Sequence, residues 1–403
     1  MRNRWLIALA AIGLHISIGS VYAWSVLTRP IMVDMGFTLS QTTWTFSLAI
    51  LMLGLSAGFL GSFAEKIGPK KSGLLAMLFW VAGLFGTAYA LSIHSLTLLY
   101  LFYGIIGGIG LGIGYITPVS TLVKYFPNRP GFATGLAIMG FGFASLIAGP
   151  LMQYLVAHVG LVNNFIILGI TYLIVMSASS LYLKAPTPKE PTRSNQDKST
   201  MYVHNHGMLA NDAMKTWQFS ALWWVFFINI TCGIGLLSLA SPMAQETIGM
   251  TPAAAASLVG IIGIFNGGGR IAWSTISDFL GRAQTYILFF IMEIIAFYLL
   301  SQTHSAITFQ ILILLIITCY GGGFSCMPAY LADLYGIRQL STIHGRILTA
   351  WGLAGIAGPM IVSYFHEAGY GYSMALVCFA GLFVLNTIIA IILKMYGKRD
   401  LDS

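Results

Sequence analysis

The chain has 403 residues, of which 57% are hydrophobic and only 8% are charged, and its mean hydropathy is +0.82. Because a soluble protein carries about 25% charged residues, this composition excludes an ordinary soluble domain. The formal net charge of +8 does not indicate nucleic-acid binding, since the basic residues lie mainly in short loops between apolar stretches of about 20 residues. The sequence therefore predicts an all-α integral membrane protein that contacts the lipid bilayer and has no nucleic-acid partner.

Twelve apolar stretches are long enough to cross a membrane. We number them as spans 1 to 12, and they lie near residues 5–27, 42–64, 72–92, 95–123, 131–156, 161–183, 218–242, 253–276, 283–302, 305–330, 343–365 and 371–395. When the N-terminus is placed inside, most of the 20 basic residues fall on the cytoplasmic side. Because positive residues concentrate on that side, we expect both termini to be cytoplasmic and the protein to lie in a bacterial-type inner (plasma) membrane.

The two halves of the chain repeat each other. A polar stretch over residues 184–216 predicts a cytoplasmic linker between six-helix bundles at residues 1–183 and 217–403. Gly36 and Gly249 are 213 residues apart, and the segment Glu65–Gly68 recurs as Asp278–Gly281 at the same spacing. Such matches, in one order and at one offset, indicate an internal duplication. Two parallel six-helix repeats describe the major facilitator architecture.

The loops that follow spans 2 and 8 carry acidic and basic residues beside a glycine. The first, Gly61–Lys71, resembles the signature loop of the major facilitator superfamily, and Asp278–Arg282 resembles a degenerate copy of it. Acids and bases near helix ends can pair in one conformation and separate in another. The residues that we predict to act in gating are Glu65, Lys66, Lys70, Asp278 and Arg282.

Arg270 lies inside span 8, in a stretch without another charge. A cation at that depth costs from about 2.5 to about 10 kcal/mol or more, so such residues usually face a cavity and have a function. Asn266 lies one turn earlier on the same helix face, and a guanidinium can bind a carboxylate through two parallel hydrogen bonds. We therefore predict that Arg270 and Asn266 bind an anion. The alternative is a structural ion pair between Arg270 and Glu293 of span 9.

Asn266 and Arg270 resemble the acid-or-amide and arginine pair of monocarboxylate transporters and of the related oxalate/formate antiporter family. The segments Gly19–Pro30 and Gly112–Gly131 resemble spans 1 and 4 of the same families, and the resemblance covers nearly the entire chain. In the oxalate transporter, a lysine of span 11 complements the arginine, and Trp351 stands at that place here. No Lys or Arg occurs between Ile347 and Lys394. Because a dianion against one buried cation leaves a costly net charge, we expect a monocarboxylate substrate.

Aromatic residues with polar tips lie on the spans that are expected to line the cavity. Tyrosine hydroxyls can hydrogen-bond a carboxylate oxygen or a neighbouring hydroxyl or keto group. We predict that Tyr22 and Tyr115 orient the anion and that Trp351 caps it. The complete set of predicted aromatic binding residues is Tyr22, Trp24, Tyr115, Tyr320 and Trp351.

Animal-type monocarboxylate transporters couple protons through a lysine of span 1 and an acid four residues before the arginine. Span 1 has no such lysine here, and Asn266 replaces the acid. His15 of span 1 and Glu293 of span 9 are the candidates to substitute for them, because an unperturbed histidine titrates near a pKa of about 6.5. Two alternatives stay open: His15 is a packing residue, or the substrate carries its own proton.

The sequence thus predicts a secondary transporter of small monocarboxylates such as lactate, pyruvate or formate, which works by alternating access as a proton-linked symporter or an anion exchanger. An oxalate/formate-type dicarboxylate exchanger is the first alternative, and a carboxylate sensor of transporter fold is the second. The sequence has no nucleophile–base pair, metal cluster or phosphate loop. We therefore expect a protein that is no enzyme, needs no metal or cofactor and acts as a monomer.

Overall fold

The computed structural model describes residues 3–125, 130–185, 207–336 and 339–396, except for a few side chains within helices. Nearly all of these residues are helical, and a single bridge joins Gly207 to Gly336. The prediction of an all-α membrane protein is confirmed.

Eleven continuous stretches are long and apolar enough to cross a membrane, and the last of them, Thr342–Tyr396, has 55 residues. A helix of that length would measure about 80 Å, whereas the hydrocarbon core is about 30 Å thick. The stretch is broken near Gly369, whose φ of 86° lies in the left-handed region that favours glycine. It therefore supplies two spans, and the described residues contain all twelve.

Spans 2 to 6 and 8 to 12 are formed by helices, and most of these helices are longer than the apolar stretches that predicted them. Their bounds are Leu39–Ile67, Pro69–Ser92, Leu96–Leu99 continued by Tyr100–Gly107 and Gly108–Tyr125, Pro130–Val159, Leu161–Tyr182, Pro252–Leu280, Arg282–Gln302, Ala306–Tyr335, Leu340–Phe365 and Gly371–Tyr396.

Spans 1 and 7 are each broken into two helices, which the sequence did not predict. Span 1 consists of Arg4–Gly19 and Ser25–Met35, joined by a 3₁₀ turn over Ser20–Ala23. Span 7 consists of Trp217–Ser238 and Ala240–Ile248, which meet at Leu239. Interrupted spans at corresponding places of two repeats commonly mark the substrate site of a transporter.

The internal duplication extends to the backbone conformation. Gly36 ends the helix of span 1 with φ 69° and ψ 22°, and Gly249 ends that of span 7 with φ 67° and ψ 26°. Thr38 and Thr251 then cap the N-termini of spans 2 and 8, and each of those helices has 29 residues. A left-handed residue after a helix is the usual place for glycine, so the repeated glycines specify the same turn twice.

The two halves meet most extensively along spans 2 and 11 and along spans 5 and 8. Glycines face each other at these crossings, as at Gly54 against Gly352 and at Gly142 against Gly267. Small residues let membrane helices approach closely. Span 8 is therefore held against the first half as well as against its own neighbours, which places Arg270 at the boundary between the halves.

The end of the predicted linker packs against the second half. The amide of Met208 donates to the carbonyl of Tyr335 at 2.9 Å, and the hydroxyls of Thr216 and Tyr335 are 2.7 Å apart. A short helix, Ala210–Ala213, lies between these contacts. Residues 186–206 lie outside the described part of the chain, and the division at 183 and 217 stays a prediction.

Candidate functional site

Arg270 is buried at the boundary between the halves, with only 1% of its surface exposed. Its Nε donates to the side-chain oxygen of Asn266 at 3.3 Å, so the two residues share one face of span 8 as their spacing predicts. Gly321 of span 10 makes this arrangement possible: a Cβ there would lie 2.4 Å from the backbone oxygen of Asn266 and 3.3 Å from Cγ of Arg270.

The terminal nitrogens of the guanidinium, Nη1 and Nη2, complete no hydrogen bond with the described residues, and neither does the amide nitrogen of Asn266. The hydroxyls of Tyr22 and Tyr115 interact with the guanidinium without completing such a bond. The ring of Phe324 lies under the guanidinium, 4.9 Å from its central carbon. Glu293 is buried elsewhere in the second half, and both of its oxygens also lack a partner in the described part of the structure. The structure therefore does not bring Arg270 and Glu293 together as an ion pair.

Tyrosines and a tryptophan from both halves surround Arg270. The hydroxyls of Tyr22 and Tyr320 are 2.9 Å apart and form a hydrogen bond between span 1 and span 10. The rings of Tyr115 and Trp351 pack edge to face at 5.2 Å, again across the boundary. The hydroxyls of Tyr22 and Tyr115 also face the guanidinium. Four of the five predicted aromatic residues thus lie together around the arginine.

This group of residues is buried from solvent. Tyr22 and Tyr115 are 1% and 3% exposed, and Tyr320 and Trp351 are fully buried. Because the shell combines residues from both halves, any opening toward one side must separate some of these contacts.

Two residues of the shell were missed by sequence reasoning. Phe324 lies one turn after Tyr320 on span 10 and connects the guanidinium to Trp351, whose ring is 4.8 Å away. Phe141 of span 5 packs against both Tyr22 and Tyr115. The spacing of Tyr320 and Phe324 signals a shared helix face, whereas nothing in the sequence distinguishes Phe141 from other buried phenylalanines.

Trp24 is not part of this group. Its ring packs at 4.5 Å on Tyr103 of span 4, inside the first half. It follows Tyr22 by two residues, and side chains two apart on a helix do not share a face. Its predicted role in binding has no support from a contact with Arg270.

The two proton-coupling candidates lie in different places. His15 is buried, and its ring stacks on that of Tyr115 with 5.5 Å between the ring centroids. His15 is therefore a neighbour of a residue of the site and not itself part of the shell around Arg270. Glu293 lies on span 9, whose helix packs mainly against span 12 and span 10. An unpartnered buried carboxylate is strongly disfavoured, and the aromatic shell that surrounds Arg270 does not include Glu293.

The structure brings the predicted gating residues of the second half together. Arg282 pairs with Asp278 at 2.6 Å and with Asp333, at the end of span 10, at 3.4 Å. Asp333 was not predicted, and its contact shows how the loop after span 8 is held to a neighbouring helix. In the first half, Lys66 and Lys70 are exposed and the side chain of Glu65 lies outside the described part.

Further hydrogen bonds join the halves on the side of the membrane opposite the N-terminus. The guanidinium of Arg29 donates to the side-chain oxygen of Gln245 at 3.0 Å, and the amide of Ser40 donates to Glu367 at 2.6 Å. Arg29 and Gln245 lie on the short outer helices of spans 1 and 7. These contacts close the site toward that side.

The site thus holds a buried cation whose free donors point into a shell of hydroxyls and aromatic rings from both halves. Such a site can bind an anion that accepts hydrogen bonds, and the anion then bridges the halves. Buried unpartnered donors are rare in folded proteins and call for an explanation.

Comparison with known proteins agrees with this architecture. The oxalate:formate antiporter of Oxalobacter formigenes is 25% identical over 361 residues, which cover 88% of this chain and 83% of that protein. Monocarboxylate transporter 14 of Homo sapiens is 22% identical over 96% of this chain and 90% of its own. These relatives are transporters rather than enzymes.

The fold also matches a solved structure. The crystal structure of a bacterial homologue of the human lysosomal transporter Spinster, in an inward-facing conformation, superposes with a TM-score of 0.76 over 97% of both chains at 14% identity. The sequence profile of the Major Facilitator Superfamily matches residues 7–288 and, in a second match, residues 222–401. The chain therefore belongs to the Major Facilitator Superfamily, a family of multi-pass membrane transporters.

Proposed function

We propose that the protein is a secondary transporter of small monocarboxylates and that Arg270 binds the carboxylate. The observation that carries the proposal is the pair of buried guanidinium nitrogens, Nη1 and Nη2, which complete no hydrogen bond with the described residues. The two nitrogens match the two oxygens of a carboxylate in a bidentate contact. A carboxylate would therefore satisfy both donors at once and neutralise the charge.

The other free polar atoms of the shell support an acceptor-only ligand. The amide nitrogen of Asn266 and the indole nitrogen of Trp351 are buried donors without partners in the described structure. A carboxylate only accepts hydrogen bonds. The site therefore offers donors where a monocarboxylate has lone pairs, whereas a cationic or donor-rich ligand would leave these groups unsatisfied.

The preference for one carboxylate follows from the contacts of the shell. Among the described residues, Arg270 is the only Lys or Arg that is fully buried. Trp351 occupies the place where the resemblance to the oxalate transporter implies a lysine, and it packs against Phe324 and Tyr115. A second carboxylate would meet aromatic rings instead of a cation, and a buried charge without a partner is costly.

The contributions of both halves fit alternating access. Tyr22 and Tyr115 come from the first half, and Arg270, Tyr320 and Trp351 come from the second, so an anion in the shell would contact both. Rocking of the halves would then expose it to either side in turn. We place both termini in the cytoplasm and the protein in a bacterial-type inner membrane, because positive residues concentrate in the loops on that side.

The test is uptake of radiolabelled pyruvate, lactate and formate into proteoliposomes, together with thermal shift of the purified protein by mono- and dicarboxylates. Arg270→Gln should abolish uptake and remove the thermal stabilisation, because it removes both the positive charge and the planar pair of N–H donors that can bind a carboxylate. Arg270→Lys keeps the positive charge but lacks the planar pair of N–H donors. It should weaken the apparent affinity for the carboxylate by about tenfold or more, which corresponds to the loss of one charged hydrogen bond.

Arg346→Gln serves as the matched control. Arg346 also lies on a membrane span, but it packs over the ring of Phe59 instead of facing the site. Its replacement should leave uptake near the wild-type rate. Wild-type uptake by a properly inserted Arg270→Gln protein would contradict the proposal, and so would stabilisation by dicarboxylates alone.

Two other functions make different predictions in the same assays. An oxalate/formate-type exchanger would bind oxalate and would exchange it for formate across preloaded vesicles. A carboxylate sensor would be stabilised by its ligand without any flux. We favour transport of monocarboxylates because the shell contains a single permanent cation and is shared by both halves.

A further inference from the structure

His15 is held between two backbone carbonyls on two different spans. Its Nε2 faces the carbonyl oxygen of Tyr115 in span 4 at 3.0 Å, and its Nδ1 faces that of Ala137 in span 5. The side chain is fully buried. A neutral imidazole carries one N–H, so it can donate to only one of these oxygens, whereas an imidazolium donates to both. The surroundings of the two nitrogens therefore suit the protonated ring.

Two other features oppose a proton on His15. The ring is removed from water, and the positive charge of Arg270 acts on it through the layer formed by Tyr115. Burial without a counter-charge and a neighbouring like charge both disfavour the charged form of a histidine. The two carbonyls and the two opposing effects thus act in contrary directions on the same proton.

The groups that face His15 are few. Span 4 contributes Tyr115, and span 8 contributes Arg270. Span 5 presents Phe141 and the carbonyl of Ala137. Span 6 meets span 1 through the hydroxyl of Ser179, beside Gly13. No carboxylate of the described residues is among these groups, so the only negative charge that could balance Arg270 here is one that binds to it.

We propose that His15 is the proton-binding residue of an anion–proton symport, which takes up a proton from water when a carboxylate binds to Arg270. The proposal rests on the proposed function. The bound anion cancels the charge of Arg270, and the two carbonyls then hold the imidazolium. By linkage, the proton must increase the affinity for the anion by the same factor.

The charge balance supports this coupling. The guanidinium alone carries one positive charge. The guanidinium, a carboxylate and an imidazolium together also carry one positive charge, so the loaded and unloaded protein have the same net charge at the site. The imidazolium donates both of its N–H groups to the backbone and keeps none for the substrate. It therefore does not provide a direct contact for a second carboxylate.

The test compares two modes of pyruvate transport in proteoliposomes with the membrane potential clamped. With the interior one pH unit more alkaline, an electroneutral one-to-one symporter accumulates pyruvate about tenfold, because one pH unit corresponds to a factor of ten. Exchange of internal for external pyruvate at equal pH needs no net proton movement. His15→Gln should reduce accumulation to about the external concentration. Its exchange at saturating pyruvate should stay within about threefold of wild type, because Arg270 is unchanged and only the proton-dependent gain in affinity is lost.

His158→Gln is the matched control, because His158 is exposed and bonds only within its own helix, to the carbonyl of Tyr154. It should accumulate pyruvate like the wild type. If His15→Gln accumulates pyruvate as well as the wild type does, the role of His15 is overturned. It is also overturned if the wild-type protein exchanges pyruvate but does not accumulate it. Both results leave the proposed function standing. A wild-type protein that does not exchange pyruvate would instead count against the proposed function.

A binding measurement keeps the test decisive if His15→Gln also loses exchange. Purified wild-type protein in weakly buffered solution should take up about one proton for each pyruvate bound, as follows from linkage. Arg270→Gln should take up none. A wild-type protein that binds pyruvate without taking up a proton overturns the proposal, and so does a His15→Asn protein that binds pyruvate with undiminished proton uptake.

Discussion

Replacement of Arg270 by methionine should stabilise the protein while it abolishes anion binding. Each of the two guanidinium nitrogens without a partner in the described structure carries a desolvation penalty of about 1–3 kcal/mol, or about 2–6 kcal/mol together. The contact with Phe324 at 4.9 Å returns about 1–2 kcal/mol as a cation–π interaction, and the hydrogen bond from Nε to Asn266 at 3.3 Å returns about 0.5–1.5 kcal/mol. Methionine is apolar and flexible enough to fill the space, so the midpoint of these contributions is a net stabilisation of about 1.5 kcal/mol.

The thermal midpoint of the purified protein measures this effect. When the size dependence of Tm shifts is extended to a chain of 403 residues, 1 kcal/mol corresponds to about 1–2 °C. The Arg270→Met protein should therefore melt about 1.5–3 °C higher than the wild type without added anion. Added pyruvate should raise the Tm of the wild type and leave that of the variant unchanged.

Arg282→Met provides a comparison of opposite sign. Arg282 pairs with Asp278 and Asp333, so its loss leaves two carboxylates without their cation, and the Tm should fall. If Arg270→Met melts at or below the wild-type temperature, the guanidinium is held by favourable contacts. The inference that it is unsatisfied until an anion binds would then be wrong.

Three further predictions concern the shell and the contacts between the halves. Trp351→Lys adds a second cation beside the rings that contact Arg270, so oxalate should stabilise this variant in thermal shift, and a response to pyruvate alone would contradict that placement. Tyr22→Phe and Tyr320→Phe remove the same hydrogen bond, worth about 0.5–1.5 kcal/mol, so each should change the pyruvate exchange rate about 2- to 12-fold. The double variant should change it no further, and additive effects would show that the hydroxyls act separately. Arg29→Cys combined with Gln245→Cys, joined by a thiol-reactive linker that contains a reducible disulfide, should stop exchange until the linker is reduced, whereas exchange by the cross-linked protein would show that this side need not open.

The fold could be predicted from the sequence because the bilayer leaves few choices. Apolar length fixes the spans, and the matching positions of Gly36 and Gly249 disclose the duplication, which the structure repeats in their φ and ψ angles. The breaks in spans 1 and 7 could not be predicted in the same way. Hydropathy averages over about 20 residues, and a short 3₁₀ turn such as Ser20–Ala23 does not change that average.

The site could be predicted only where spacing along one helix determines which residues are neighbours. Asn266 and Arg270 are one turn apart, and the structure joins them by a hydrogen bond. Contacts between helices depend on how the helices are rotated against each other, which a single sequence does not specify. For that reason Phe141 was missed. Phe324 could have been included and Trp24 excluded from their spacings to Tyr320 and Tyr22, and Trp24 faces Tyr103 instead.

The broken spans have a consequence for the way in which the side opposite the N-terminus can open. The short helices Ser25–Met35 and Ala240–Ile248 are equivalent pieces of the two repeats, and Arg29 of one bonds to Gln245 of the other. These two short helices lie at the outer ends of spans 1 and 7, and each joins the inner helix of its span at a break near Trp24 or Leu239. Rocking of the halves toward that side must separate these two helices, so the hydrogen bond between Arg29 and Gln245 has to break before the site gains access from there.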